Sequence, residues 1–153
     1  MASAWLINAR VMPTVDTNGK PTLLVFISYN CSTSWRYEKR VGKVMQEFGP
    51  KGLRVMFVRS SANDTVEQTK KYAEARNFTG PLLYDEKNAL ADYFGVRVTP
   101  TFVLLDGKGV LRYSGSFDDH PDETAAKKTF ARDAITAVID GKPVAVKETR
   151  AFG

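Results

Sequence analysis

The sequence predicts an α/β domain in which helices cover both faces of a mixed β-sheet. Short apolar runs alternate with segments of helical period, the pattern of folds built from strand–helix–strand units. The run at 23–27 contains no polar residue, which is typical of a strand buried on both faces. Two apolar segments flank Gly107-Lys108-Gly109 near the end of the chain, which predicts an antiparallel hairpin.

The chain is expected to form one domain over 1–153, with an N-terminal extension at 1–18 and a C-terminal tail at 141–153. Turn and helix-stop residues set the boundaries of the elements, for example Gly49-Pro50 and Gly141-Lys142-Pro143. The predicted strands are 5–11, 22–27, 53–59, 82–84, 96–106 and 110–115. The predicted helices are 33–48, a segment from 64 or 65 to about 76, 86–94, and a long helix from 122 or 123 to 139, after a loop at 117–121.

Composition excludes several classes of function. At 153 residues, 43% hydrophobic and 25% charged, the chain is an ordinary globular domain. The net charge is +5, but pairs such as Lys39-Arg40 and Lys127-Lys128 fall on predicted amphipathic helices. Solvated helix faces explain these pairs better than a nucleic-acid surface does. Nucleic acid is therefore not an expected partner. No apolar run is long enough to span a membrane, so a membrane is not an expected partner either.

Cysteine and histidine usage narrows the chemistry further. One cysteine and one histidine exclude an internal disulfide framework and make a Cys/His metal cluster an unsuitable interpretation, so no metal or cofactor is expected. The N-terminus lacks the basic start and the long apolar segment of a signal peptide. A secreted protein without its leader would look the same, and a bacterial periplasm is favoured over the cytoplasm. We expect a monomer or a weak dimer.

Cys31 lies in the predicted turn between a buried strand and the helix at 33–48. Ser32 and Thr33 follow it as candidate N-caps, and Trp35, Val41, Val44, Met45 and Phe48 can share one side of that helix. Backbone N–H groups and the positive end of a helix dipole favour the thiolate of a cysteine at such a position. Free cysteine is more often a small buried hydrophobe, so context has to decide between the two.

These segments together resemble the thioredoxin superfamily, and within it the redoxin branch of TlpA/ResA-like and peroxiredoxin-like proteins. The resemblance rests on Cys31-Ser32-Thr33-Ser34 at a helix start, Val98-Thr99-Pro100-Thr101 before a hairpin, and the segments 104–109 and 113–119. It runs from about Gly19 to the end of the chain. It implies a thioredoxin-like fold with a cis Thr99–Pro100 bond beside Cys31, and a thiol–disulfide exchange activity on protein or low-molecular-weight thiols and disulfides.

The resemblance also implies roles for individual residues. Cys31 would be the nucleophile, and Thr99 and Pro100 would form the edge on which a substrate docks. Separately from the resemblance, their positions close to Cys31 in the sequence make Trp35 and Asn30 candidates to line the substrate surface, although a core position for Trp35 is an equally good interpretation. His120 is expected to be solvated or to cap a turn.

Ser34 departs from the dithiol motif of the superfamily, Cys-x-x-Cys. A second cysteine there would resolve the mixed disulfide, so its replacement requires an external thiol for release. Ser34 is consistent with a native monothiol enzyme, with an engineered trapping substitution, or with loss of activity. The tail at 141–153 looks similar to the tails of peroxiredoxin-like members, some of which continue with a cysteine just past Ala-Phe-Gly. A truncated resolving cysteine is therefore a further explanation.

Two other functions stay open. A thiol peroxidase of the peroxiredoxin type would need a Thr or Ser three residues before the cysteine, a proline four residues earlier, and an arginine from a later strand. Ser28 meets the first requirement, Leu24 stands at the proline position, and Thr99-Pro100 stands where the arginine would be, with Arg36 or Arg97 as substitutes. The second alternative is a non-catalytic thioredoxin-fold binding module in which Cys31 is merely buried.

Overall fold

A five-stranded mixed sheet forms the centre of the molecule. The structure is a computed structural model that describes residues 15–28, 32–59, 65–75 and 82–152. The strands lie in the order β3-β2-β1-β4-β5, with β1, β2 and β3 parallel to one another, β4 antiparallel to β1, and β5 antiparallel to β4. Their bounds are β1 Thr22–Ile27, β2 Arg54–Arg59, β3 Leu82–Tyr84, β4 Thr101–Leu105 and β5 Leu111–Gly115.

Five α-helices accompany the sheet in the described residues. They are α1 Ser32–Arg36, α2 Glu38–Phe48, α3 Val66–Ala75, α4 Ala89–Tyr93 and α5 Phe130–Ile139, with 3₁₀ turns at Gly49–Lys51 and Glu86–Asn88. None of the described helices is long and apolar enough to cross a membrane.

The sheet is buried on both faces, which confirms the predicted fold class. All six residues of β1 are buried, and they alternate between two cores. Leu23, Val25 and Ile27 pack with residues of α2 and α5, whereas Leu24 and Phe26 pack with residues of α4 on the opposite face. Burial on both sides explains why β1 is a continuous apolar run rather than an alternating one.

The strand predictions at 22–27 and 82–84 match the structure, and the predicted hairpin is present. Strand β4 is shorter than predicted and begins at Thr101, because 98–100 forms bends, where Thr101 Oγ1 donates a hydrogen bond to the Val98 carbonyl (2.7 Å). The predicted strand at 5–11 lies outside the described residues.

The helix predicted over 33–48 is divided at Tyr37 into α1 and α2. The Tyr37 N–H donates to the carbonyl of Ser34, three residues back, at 3.2 Å, which tightens the chain there. The Tyr37 ring is buried against Phe102, Phe117 and Phe152. The break therefore brings a large aromatic side chain into the core between the two helices.

The long helix predicted from 122 or 123 to 139 is wrong in its first half, because α5 begins only at Phe130. Residues 117–129 form turns instead. The Asp119 carboxylate accepts hydrogen bonds from the N–H groups of Lys127 (2.7 Å) and Lys128 (3.0 Å), and Asp122 accepts from the Thr124 N–H at 3.0 Å. Aspartate side chains thus bind the backbone groups that a helix would have used.

The C-terminal tail predicted at 141–153 is bound to the sheet edge. Val144 is buried, and Ser114 of β5 exchanges hydrogen bonds with 147–149, donating to the Lys147 carbonyl (3.1 Å) and accepting from the Thr149 N–H (3.0 Å). The segment therefore covers part of the outer edge of β5.

Candidate functional site

The Thr99–Pro100 peptide bond is cis and immediately precedes β4. Pro100 is buried and Thr99 is half-buried. Strand β4 pairs antiparallel with β1, and the last pair at this end is Phe26 with Thr101. Continued by one residue, this register sets Pro100 opposite Ile27. The cis bond therefore lies beside the end of β1. This end of the strand precedes Cys31 by a few residues in the sequence.

Cys31 and Asn30 lie outside the described residues, so the roles predicted for them stay predictions. The structure describes the chain on either side of them: β1 ends at Ile27, and α1 starts at Ser32. In the sequence, Cys31 therefore falls between a buried strand and a helix start.

Ser34 and Trp35 are neighbours in α1 with opposite environments. Ser34 is 1% exposed, and its Oγ has no hydrogen-bond partner among the described residues. Trp35 is 41% exposed, which favours the surface interpretation of this residue over a core anchor. One face of α1 therefore buries the hydroxyl at the position of the missing second cysteine, and the other presents an indole to solvent.

The residues considered for a peroxidase site have different environments in the described part of the chain. Leu24 is fully buried within β1, where it pairs with Met56 and Val103. Arg97 is exposed and donates a hydrogen bond to the carbonyl of its neighbour Val96 (3.3 Å). Arg36 is exposed at the end of α1.

A buried polar cluster of Tyr37, Arg40 and Asp118 was not predicted as a feature of the sequence. Arg40 Nη1 lies 2.7 Å from Asp118 Oδ2, and the Tyr37 hydroxyl donates to Asp118 Oδ1 at 3.0 Å. The guanidinium also stacks over the Tyr37 ring, 4.1 Å from its centroid. The cluster joins the start of α2 to the loop after β5.

Electrostatics in this cluster follow from burial. Burial raises the pKa of Asp118, against the opposing effect of the Tyr37 hydroxyl and the Arg40 charge. Burial also raises the pKa of Tyr37, and the Asp118 charge raises it further, so the phenol stays protonated and serves as a donor.

The expectation that Arg40 lies on a solvated helix face is wrong, since its side chain is 4% exposed. The sequence spacing could have indicated that Arg40 is buried, because residues 37, 40, 41, 44 and 48 lie on one face of a helix. Arg40 Nη1 also donates to the His120 carbonyl at 3.0 Å, and Nη2 donates to the Pro121 carbonyl.

His120 behaves as a capping residue, as predicted. Its side chain is exposed, and Nδ1 accepts a hydrogen bond from the Asp122 N–H at 2.9 Å. The described residues contain no group of His, Cys, Asp and Glu side chains suited to hold a metal ion.

The sheet order, the cis-proline before the hairpin and the helix start after β1 define a thioredoxin-like fold. The chain belongs to the AhpC/TSA family, which matches residues 10–114 and therefore more than half of the chain. This confirms the assignment to the redoxin branch of the thioredoxin superfamily.

Individual relatives agree with this assignment. The chain is 32% identical over 97 residues to the thioredoxin-like protein YneN of Bacillus subtilis (strain 168), covering 63% of this chain and 56% of that protein. The chain thus spans little more than half the length of this curated relative. A crystal structure of a hypothetical protein from Sinorhizobium meliloti 1021 superposes with a TM-score of 0.75 at 26% identity, covering 88% of this chain and 79% of the other.

The thioredoxin domain of a thiol-disulfide oxidoreductase from Bacteroides vulgatus is similar in fold. Its TM-score is 0.56 at 22% identity, covering 63% of this chain and 69% of that domain.

Proposed function

We propose that this chain is a thiol–disulfide oxidoreductase that reacts through a mixed disulfide at Cys31. The observation that carries the proposal is the pairing of β1 with β4, which sets the cis Thr99–Pro100 bond beside the strand end that leads to Cys31. An extended substrate lying along this prolyl segment would bring its sulfur next to the cysteine. The exposed indole of Trp35 and the side chain of Asn30 would complete the docking surface.

The reaction is an exchange without net change in the number of disulfides. The Cys31 thiolate attacks one sulfur of a substrate disulfide, forming a bond between the two sulfurs while the substrate S–S bond breaks. The second substrate sulfur leaves as a thiolate and takes up a proton. An external thiolate then attacks the mixed disulfide, and Cys31 leaves as the thiolate again.

The residue at position 34 supports this monothiol course. A serine hydroxyl cannot attack a disulfide as a thiolate does, so the mixed disulfide would persist until a low-molecular-weight thiol or a second cysteine of the substrate releases it. Ser34 would act only by occupying a buried position at the start of α1, where it is 1% exposed.

The experiment is incubation of the reduced protein with oxidised glutathione, followed by intact-mass spectrometry. We expect one glutathione adduct per chain, mapped to Cys31 and removed by dithiothreitol. A Ser34→Cys variant should instead release the adduct by itself and form an intramolecular disulfide. Absence of an adduct on the native, folded protein would contradict the proposal, and a persistent adduct on Ser34→Cys would contradict the part assigned to position 34.

A thiol peroxidase is the second candidate, favoured by the match to the AhpC/TSA family and by Ser28 three residues before Cys31. In this reaction the Cys31 thiolate attacks a peroxide oxygen, forming the sulfenic acid while the O–O bond breaks and the leaving oxygen takes up a proton. The buried Leu24 and the exposed Arg97 argue against it. Rapid trapping of a sulfenic acid by dimedone at micromolar peroxide would favour the peroxidase, and its absence under conditions that form the glutathione adduct would favour exchange.

A further inference from the structure

A groove of about 630 Å³ opens at the end of the sheet where β4 begins. One wall contains Val98 and Thr101, which flank the cis Thr99–Pro100 bond, and the other wall is the C-terminal segment 148–151. Its volume is within the ordinary range for ligand sites in proteins. The groove is therefore lined by the residues on either side of the peptide bond that the proposed function assigns to substrate docking.

The C-terminal wall is fixed to the sheet by Thr149. Its Oγ1 lies 2.6 Å from the Tyr113 hydroxyl and accepts a hydrogen bond from the Ser116 N–H at 3.0 Å. Gly115 allows this close approach, because the Thr149 side chain and backbone occupy the space that a Cβ at 115 would need. The wall is thus a packed part of the fold.

Charge in the groove favours an anionic occupant. Arg97 and Arg150 both line it, both are exposed, and neither forms an ion pair within the part of the chain that the structure describes. Glu148 is the acidic residue among the lining side chains and leaves the groove with a net positive charge. Phe94, Val98 and Ala151 supply apolar contact between the charges.

We propose that this groove binds an extended segment of the partner polypeptide that carries an acidic side chain near its reacting sulfur. The inference rests on the proposed function of Cys31 and specifies its substrate class. Two irregular chain segments form the walls of the groove, a shape that suits an extended peptide. Either arginine can pair with a carboxylate, and such contacts act mainly on the rate and the choice of association.

The test uses synthetic peptides with one cysteine activated as the mixed disulfide with 2-thiopyridine. Three peptides of the same length carry Glu, Gln or Lys at two positions beside that cysteine. The measured quantity is the second-order rate constant for release of thiopyridone by the native protein. We expect the order Glu, Gln, Lys from fastest to slowest, with a difference of about two- to fivefold for each arginine that contributes, decreasing as salt is added.

Single substitutions identify which residues cause the preference for acidic peptides. Arg97→Gln and Arg150→Gln should each reduce the ratio of the Glu rate to the Gln rate, and Glu148→Gln should increase it. Lys108→Gln, which removes a positive charge from the hairpin turn at the other end of β4, is the matched control and should leave the ratio unchanged. Equal rates for the three peptides, or an equal effect of Lys108→Gln, would overturn the inference.

The small neutral disulfide 2,2′-dithiodipyridine separates this inference from the proposed function. A protein that reacts with it at Cys31 but shows no peptide preference retains the proposed function and refutes the acidic-peptide groove. A protein that does not react with it at all refutes the proposed function itself.

Discussion

Arg40 and Asp118 form a buried ion pair, with Nη1 and Oδ2 separated by 2.7 Å and both side chains at most 5% exposed. The pair connects α2 to the loop after β5 across 78 residues of sequence. Because α2 follows directly on α1, which begins one residue after Cys31 in the sequence, this contact anchors the helical side of the candidate site.

Removal of the carboxylate by Asp118→Ala should destabilise the protein by about 3–5 kcal/mol, because it leaves the Arg40 charge buried without its counter-ion. Urea denaturation followed by circular dichroism measures the change in the free energy of unfolding. Lys43→Ala is the matched control, since it breaks the exposed pair with Glu123 in the same region. That control should cost no more than about 1 kcal/mol, and equal losses for the two variants would refute the structural role of the buried pair.

Thr149→Val should loosen the C-terminal segment while it preserves the shape of the side chain. The variant lacks the oxygen that pairs with the Tyr113 hydroxyl and the Ser116 N–H. We expect a loss of about 1–3 kcal/mol and faster hydrogen exchange at the Ser114 and Thr149 amides. The same substitution at the exposed Thr124, which bonds only within its own turn, should leave both measurements nearly unchanged.

Gly115→Ala tests the close approach of the tail to β5. Gly115 has φ +150, and a Cβ there would collide with the Thr149 side chain and backbone, whereas Gly52 has φ +101 with nothing within 4 Å of its Cβ position. Gly52→Ala should cost about 1 kcal/mol from backbone strain alone. Gly115→Ala should cost clearly more and expose 147–149 to proteolysis. Similar costs and an intact tail in both variants would contradict the packing.

We predict that the free energy of unfolding depends on pH through the carboxyl group of Asp106 in the β4–β5 hairpin. Partial burial alone would raise its pKa, but hydrogen bonds from the Val110 and Lys108 N–H groups and the nearby Arg112 guanidinium outweigh burial and lower the pKa. A carboxyl whose pKa is lower in the folded state than in the unfolded state stabilises the fold at pH values above its unfolded-state pKa, which is about 3.9. This stabilisation is lost as the pH falls through the folded-state pKa.

Asp106→Asn, which retains an acceptor oxygen but does not titrate, should therefore be less stable than the native protein at pH 7. The difference should narrow below about pH 4. Urea midpoints at several pH values between neutrality and pH 3 measure it. A difference that stays constant over this range would contradict the assignment.

Most of the fold could be predicted from local patterns. The apolar run of β1, buried on both faces, was recognisable because its sequence contains no alternation. The hairpin was recognisable from the glycines of its turn. The start of α5 could not be recognised, because 122–139 has a helical period throughout. Only the hydrogen bonds from backbone N–H groups to the side chains of Asp119 and Asp122 show that the first half forms turns.

The candidate site was predicted in part. The motif around Thr99 and Pro100 led to the cis bond beside the end of β1, which the structure contains. The cluster of Arg40 with Asp118 was missed, because a charged residue in an amphipathic helix is usually solvated and its partner lies far away in sequence. The groove wall formed by 148–151 was also missed, because its contacts with β5 join segments that are far apart in the sequence.

The protonation of Cys31 tests the central claim most directly. The rate of alkylation of the native protein by iodoacetamide, measured from pH 4 to pH 10, gives the pKa of the thiol. We expect a pKa well below the value of about 8.5 for a free cysteine, because the thiolate is the reacting form. A pKa at or above that value, or a thiol that reacts only after unfolding, would contradict it.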